Sequence, residues 1–339
     1  MTANAHRRPL NVSFRRGSSA EQVFRKRAGL PSTEAIALGE KPTPSHDLHF
    51  HGGKTIADLN FVNFYVGGDT WGASDISNID KSLEAAMSDK NLNNVMEQYF
   101  PTSISSTFMG SQKLAGTAPA TFSQGDVESL VAAMAEQGKF EGRDLTSTVF
   151  NFMLPRGTVL NDNAGPSADS KPEVKVEKKS PIPHDDEADS LHGLGGYHGS
   201  IHTNNGDTIY YAIGVYSEKL ANGSENGIAI FDQPWKNVVA TFYHELNEAR
   251  TDCDVEDAIR AGNDPSAVKF LGWTSKQGEE CGDFPVFENG NALSKVFQEV
   301  QLSSGGGTVP VQFQYSVSVH GPEGPQAMPV KKANSNAHH

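Results

Sequence analysis

The chain has 339 residues and a formal net charge of −13. It is long enough for one large domain with insertions or for two smaller ones, and acidic enough that nucleic-acid phosphates would repel it. Its 37% hydrophobic and 20% charged residues suit a globular protein, no apolar run reaches the roughly 20 residues of a membrane-spanning helix, and two cysteines are too few for a disulfide scaffold.

In chain order, segment 1–46 is basic, with Arg7-Arg8, Arg15-Arg16 and Arg25-Lys26-Arg27, then rich in Ser, Pro and Gly. It is expected to be disordered. It lacks the apolar core of about 7–15 residues that a secretory signal needs, so no signal peptide is recognised. The expectation is a cytoplasmic protein, or one exported by a non-classical route. A single domain is expected over 47–320. The aromatic and β-branched run 59–66, ended by Gly67-Gly68, reads as a strand. Ile76, Ile79, Leu83 and Met87 predict a helix over 75–100. A second strand is expected over 103–114. A helix over 124–137 has Ser123 as its N-cap, and 148–154 reads as a buried strand ended by Pro155.

Residues 161–190 hold four Pro and many Lys, Asp and Glu. Such composition cannot offset the entropy of ordering, and a flexible insertion is expected there. A glycine-rich run follows, 191–202, then strands over 208–216 and 227–231. Helices are expected over 234–250, 254–262 and 292–302, and a last strand over 309–319. The tail 321–339 is expected to be loose.

The helix over 234–250 carries the chemistry. Stepping 100° per residue puts Trp235, Val238, Val239, Leu246 and Ala249 within about 60° of Phe242, one continuous core-facing stripe. His244, Glu248 and Asp252 form an i, i+4, i+8 row away from that stripe, with Glu245 beside it. Pro234 suits the first turn and Asp232 a cap. Ligands at i and i+4 can point at one cation. The Glu next to the first ligand can then take a proton from water that the cation polarises, the logic of the HExxH zinc-protease helix. Here Glu248 stands where the second His would be. A carboxylate ligand suits zinc and also admits harder cations such as Ca²⁺, Mg²⁺ or Mn²⁺. The competing reading is a solvated helix face. Against it stands the apolar approach Val238-Val239-Ala240-Thr241-Phe242-Tyr243.

An acidic cluster follows: Thr251-Asp252-Cys253-Asp254, Gly272-Trp273, then Glu279-Glu280-Cys281-Gly282-Asp283. The string HELNEARTD, the later GW and the Glu-x-Gly-Asp resemble a group of bacterial zincin-like proteins. Their helix reads roughly HExxEaxTDP, followed by a Trp and then EIGD, and they are distant relatives of the plant phosphate-induced, or exordium, proteins. His51-Gly52-Gly53, Trp71 and Gly196-Tyr197-His198-Gly199 agree with the wider layout. The resemblance covers roughly 48–320 and is specific around 244–283. It implies metal ligands at His244 and Glu248 and a general base at Glu245. Asp252 or Asp283 would supply a third ligand or a carboxylate holding one in place, and His198 is a further candidate ligand. Cys253 and Cys281 depart from the Pro and Ile usual in these relatives. Convergence of the two segments on one metal would make them neighbours, bonded together or forming a soft ligand pair.

His49, His51, His192 and His202 are expected to be structural or surface residues, and the glycines of 193–199 lack the GK[ST] of a phosphate loop. The expected fold is α+β: a zincin-like mixed sheet with the catalytic helix packed across it. The expected function is a zinc-dependent hydrolase, with calcium as the alternative cation and a peptide or protein as substrate. The alternative is a non-catalytic, metal-stabilised binding protein, associated with a cell surface or carried as cargo of a secretion or injection system. No oligomeric state follows from the sequence.

Overall fold

The computed structural model describes residues 12–14, 42–164, 188–262 and 264–334. The architecture is α+β. A mixed six-stranded sheet is built from β1 (Val12–Phe14), β2 (Asp58–Tyr65), β3 (Ser105–Lys113), β4 (Thr148–Met153), β5 (Leu194–His202) and β6 (Thr208–Gly214). The spatial order is β1-β5-β6-β4-β2-β3. β3, β2, β4 and β6 run parallel to one another, while β5 is antiparallel to both β6 and β1.

Strand alternation divides the interior between the two faces of the sheet. Phe61, Tyr65, Val149, Met153, Tyr210 and Ala212 pack with α1 (Ala73–Ser88) and α3 (Pro234–Thr251). Val62, Phe64, Phe150, Phe152, Tyr211 and Ile213 pack with α2 (Gln124–Glu136) and with Val255 and Ile259 of α4 (Val255–Ala261). Both faces are covered, which is why these strands read as near-continuous apolar runs. The stripe Val238, Val239, Phe242, Leu246 and Ala249 lies on the first face, as its spacing predicts. Ser123 caps α2 in a reciprocal capping box with Asp126.

Several expectations are corrected. The helix over 75–100 ends at Ser88, because Asp89 turns out and caps the next short turn, accepting from Leu92 N at 2.9 Å. The glycine-rich run is strand β5, not loop. Its glycines serve close approach: a Cβ on Gly196 would stand 2.6 Å from Ile213 O and 3.0 Å from Thr241 Cγ2 of α3. Residues 228–231 form no strand, since Asn237 of α3 takes the amides of Ile230 and Phe231 on its Oδ1 instead. Asp232 does not cap α3; the cap position is Gln233, and Asp232 pairs with Lys236 at 2.8 Å. Within 292–302, Phe297–Gln301 (β7) is a strand, hairpinned to Thr308–Gln312 (β8) through a loop with Gly305 and Gly307 at positive φ. The last expected strand is split at Phe313 into β8 and Gln314–Ser316 (β9).

Of segment 1–46, β1 and a turn at Pro44–His46 are described, and its other residues up to 41 lie outside the described ones. The expected insertion is pinned at its base by the Asn161–Asp189 bridge and by Ala188 N donating to Asp162 Oδ1, with 165–187 outside the described residues. The tail is not loose as far as it is described. Gly321–Glu323 (β10) pairs with β9, and the amides of Gln326 and Ala333 bond to Asn91 O and Gln98 O. Among the described residues, no helix is long and apolar enough to cross a membrane.

Candidate metal centre

The helix α3 is buried on every side from Asn237 to Thr251. That removes the solvated-face reading of the His244 row: His244 is 1% exposed, and Glu245 and Glu248 are 0%. The apolar stripe packs on the sheet. The opposite side is covered by the loop 279–283, by β8 and by β5.

Two groups of donor atoms converge here. His244, Glu248 and Asp283 form one, and His198, Glu245 and Glu248 the other; within each, the ligand atoms lie within 4.8 Å of one another. His244 Nε2 and Glu248 Oε2 are 3.0 Å apart. They face each other as a close ion pair, and neither atom has a further hydrogen-bond partner. Buried polar atoms without partners are costly and call for an explanation. A common cation supplies one, since zinc held at about 2.0–2.1 Å from tetrahedral donors sets those donors about 3.3 Å apart.

The Glu-x-Gly-Asp loop is shaped to this helix. Gly282 N donates to Glu248 Oε1 at 3.0 Å, and Glu280 N donates to Asp283 Oδ2 at 2.9 Å. A Cβ on Gly282 would stand 2.3 Å from His244 Nδ1 and 2.9 Å from Glu248 Oε1, so only glycine lets the loop lie over both side chains. On β5, His198 Nδ1 is 3.4 Å from Glu245 Oε2, and its Nε2 is 3.7 Å from Glu280 Oε1. His198 pairs across to Ala212, on the α3 side of the sheet, which is how a strand residue reaches the helix.

Asp252 lies outside both groups. The helix ends at Thr251, so the i+8 position leaves the helical row, and Asp252 Oδ1 accepts from Gly272 N at 2.7 Å. Gly272 in turn lies against Thr251 O, 2.0 Å from where its Cβ would be. The two cysteines are free, not bonded, and neither belongs to a donor group. Cys253 Sγ faces Lys54 O, while Cys281 Sγ faces Gln314 Oε1, on separate core clusters. The convergence of their chain segments did not bring the side chains together: Cys281 Sγ also meets Thr251 Oγ1, while Cys253 Sγ meets Lys54 O. His51, His192 and His202 are engaged by Thr274, Asp189 and Asp257, as structural residues would be.

Gln312 is a residue the sequence did not single out. Its amide nitrogen donates to Gly282 O at 3.1 Å and to Phe313 O. Its Oε1 therefore accepts from His244 Nδ1, which leaves Nε2 turned toward Glu248 and fixes the ring. Local alternation could not have found it, because residues 309–312 of β8 are all buried, Gln312 at the end of the strand with them. Glu280, part of the loop motif, also stands at the site, its Oε1 3.7 Å from His198 Nε2.

The electrostatics are those of crowded carboxylates. Burial by itself would lower the His244 pKa, but the charges of Glu248, Glu245 and Asp283 push it up to about 10. For His198 burial again lowers, and the bond to Glu245 raises further, for a net upward shift. Burial pushes Asp252 up to about 7. Asp283 is raised well above the usual carboxyl range by burial and then by the Glu248 charge. A cation and the His244 proton thus compete for the same nitrogen.

No protein-family model and no curated protein matches the chain. Among solved structures, the chain is similar to the crystal structure of metalloproteinase-II from Bacteroides fragilis, with 12% identity and a TM-score of 0.27. The match covers 58% of this chain and 44% of that one, less than half of the neighbour's length. A likeness of that size carries no argument about function.

Proposed function

We propose that this protein is a metal-dependent hydrolase acting on a peptide or protein, with a divalent cation, zinc first, held by His244, Glu248 and Asp283. The observation that carries the reading is the pair His244 Nε2 and Glu248 Oε2, buried and 3.0 Å apart with no hydrogen-bond partner beyond each other, beside the buried Asp283 carboxylate. When bound there, such a cation supplies Lewis acidity and lowers the pKa of water toward about 7. Glu245, next to the first ligand on the helix, takes the proton from the attacking water. Gln312 holds the His244 ring through Nδ1, and the Gly282 amide holds Glu248 through Oε1. Asp252, braced by Gly272 N, lies outside both donor groups and adds its charge beside His198.

One observation favours a second reading. Every donor is 0–1% exposed, and closed sites are characteristic of structural cations, while catalytic ones keep a position open. On that reading the cation ties α3, β5 and the loop 279–283 together in a binding protein.

The test is hydrolysis of unfolded protein or mixed peptides by zinc-loaded protein, wild type against Glu245→Gln. The hydrolase reading expects turnover that falls by about 10²–10⁴-fold in the variant, with the His244–Glu248–Asp283 cation retained. Bound zinc without turnover in the wild type supports the binding protein. Absence of bound metal, with a melting temperature indifferent to zinc and calcium, sinks both.

A further inference from the structure

The two donor groups share one residue, Glu248. We propose that the centre holds two divalent cations rather than one, bridged by the Glu248 carboxylate, with His198 and Glu245 completing the second position. This builds on the metal-centre reading above and extends it.

Three observations carry it. The first is spacing. His198 Nδ1 lies 3.4 Å from Glu245 Oε2 and 3.9 Å from Glu248 Oε2. A histidine–carboxylate pair bonded to each other closes to about 2.7–2.9 Å. The Glu245 contact is a long hydrogen bond and the Glu248 separation is beyond one, and both fit donors around a shared ion at about 2.0–2.2 Å. The second is the bridge. Glu248 Oε1 is taken by Gly282 N, while Oε2 has a histidine nitrogen on either side, His244 Nε2 at 3.0 Å and His198 Nδ1 at 3.9 Å, and a hydrogen bond from neither. Glu248 is thus the residue that the two groups have in common.

The third is charge. Five buried carboxylates, Glu245, Glu248, Asp252, Glu280 and Asp283, surround two buried imidazoles. Arg250, buried on the same helix, is turned the other way, onto the carbonyls of Ile56, Ala57 and Ser105. With all five ionised and the imidazoles neutral, one dication leaves three negative charges in the interior and a second reduces that to one; without cations, protons on Asp252, Asp283 and His244 relieve the same crowding. Uncompensated buried charge is among the costliest things a fold can carry. The backbone amides of Gly272, Gly282 and Glu280, each already donating to one of these carboxylates, meet the remainder. Glu245 can serve this second position and still accept a proton. Its Oε2 faces His198, while its Oε1 lies over β5, 3.1 Å from where a Gly196 Cβ would stand. Two cations about 3.5–4 Å apart would stabilise both the attacking and the departing oxygen of a hydrolysis.

The experiment is zinc stoichiometry by elemental mass spectrometry on full-length protein, stripped, reloaded with Zn²⁺ and freed of excess by gel filtration. Circular dichroism confirms that each variant is folded. The expected result is two zinc ions per wild-type chain and one in each of the isosteric variants Glu245→Gln and Asp283→Asn. With Mn²⁺ as the probe, the wild type should give an exchange-coupled spin-resonance spectrum, which each variant replaces with an isolated-ion pattern. One ion per wild-type chain overturns the two-cation proposal and leaves the single-cation centre standing. Two ions retained in both variants also overturn it, because they would then sit elsewhere. No ion at all removes the proposal and the proposed function together.

Discussion

Gly282→Ala tests whether the loop 279–283 is fitted to the helix as closely as its geometry indicates. Gly282 has no positive φ, so alanine is compatible with its backbone and any effect comes from the added methyl. That methyl would meet His244 Nδ1 at 2.3 Å, His244 Cε1 at 2.6 Å and Glu248 Oε1 at 2.9 Å. Ordinary contact is about 3.5–4.0 Å, so ring or loop must yield by about 1 Å. The ring cannot retreat freely, because Gln312 holds it at Nδ1 and Glu248 Oε2 stands 3.0 Å from Nε2 on its other edge. Overpacking of this kind costs about 1–3 kcal/mol. It would lower the melting temperature of the metal-free protein by about 2–4 °C for each kcal/mol. A ligand shift of about 1 Å also exceeds the roughly 0.2 Å tolerance of metal–donor distances. Zinc affinity, measured by competition with a chromophoric chelator, should fall by at least the 10–100-fold typical when a ligand's support is lost. Wild-type affinity together with an unchanged melting temperature would refute the packing argument, since it would mean that the loop does not lie on His244 and Glu248.

Two further outcomes follow from the buried charges and thiols. Asp252, pushed up to about 7, and Asp283, raised further, are carboxyls whose pKa is higher folded than unfolded. What they add to stability is present below the unfolded value of about 3.9 and lost as pH rises through the folded one. His244, pushed up to about 10, has the same sign: its contribution is present below about 6.5 and is lost toward its folded value. The melting temperature of the stripped protein should therefore fall from about pH 5 to about pH 8, and zinc should flatten the fall; calorimetry that finds it rising in the stripped protein would contradict the burial of these groups. Cys253 and Cys281 are free and buried, with burial raising both thiols. Thiol titration without reductant should find almost none reactive in the native protein and both after unfolding; a mixture lacking thiols when unfolded would mean a disulfide.

The chemistry-bearing helix was legible in the chain because its signals are local. The apolar stripe through Phe242 and the i, i+4 placing of His244 and Glu248 depend only on helical period, which burial then preserves. The strands of the parallel core were legible for a related reason: covered on both faces, they are apolar throughout. Strand β5 was not, because its glycines answer to a helix more than 40 positions later, and local reading takes glycine for a loop. The meeting of His198, Glu280 and Asp283 at α3, and the hold of Gln312 on the His244 ring, likewise belong to contacts between segments far apart in sequence. So does the separation of the two cysteines, whose segments converge while their side chains diverge. The sequence by itself determined the helix, its core-facing side and the residue types available to a cation. Tertiary packing decided which of those side chains share one buried space, because burial, charge crowding and unpartnered donor atoms exist only once the segments are brought together.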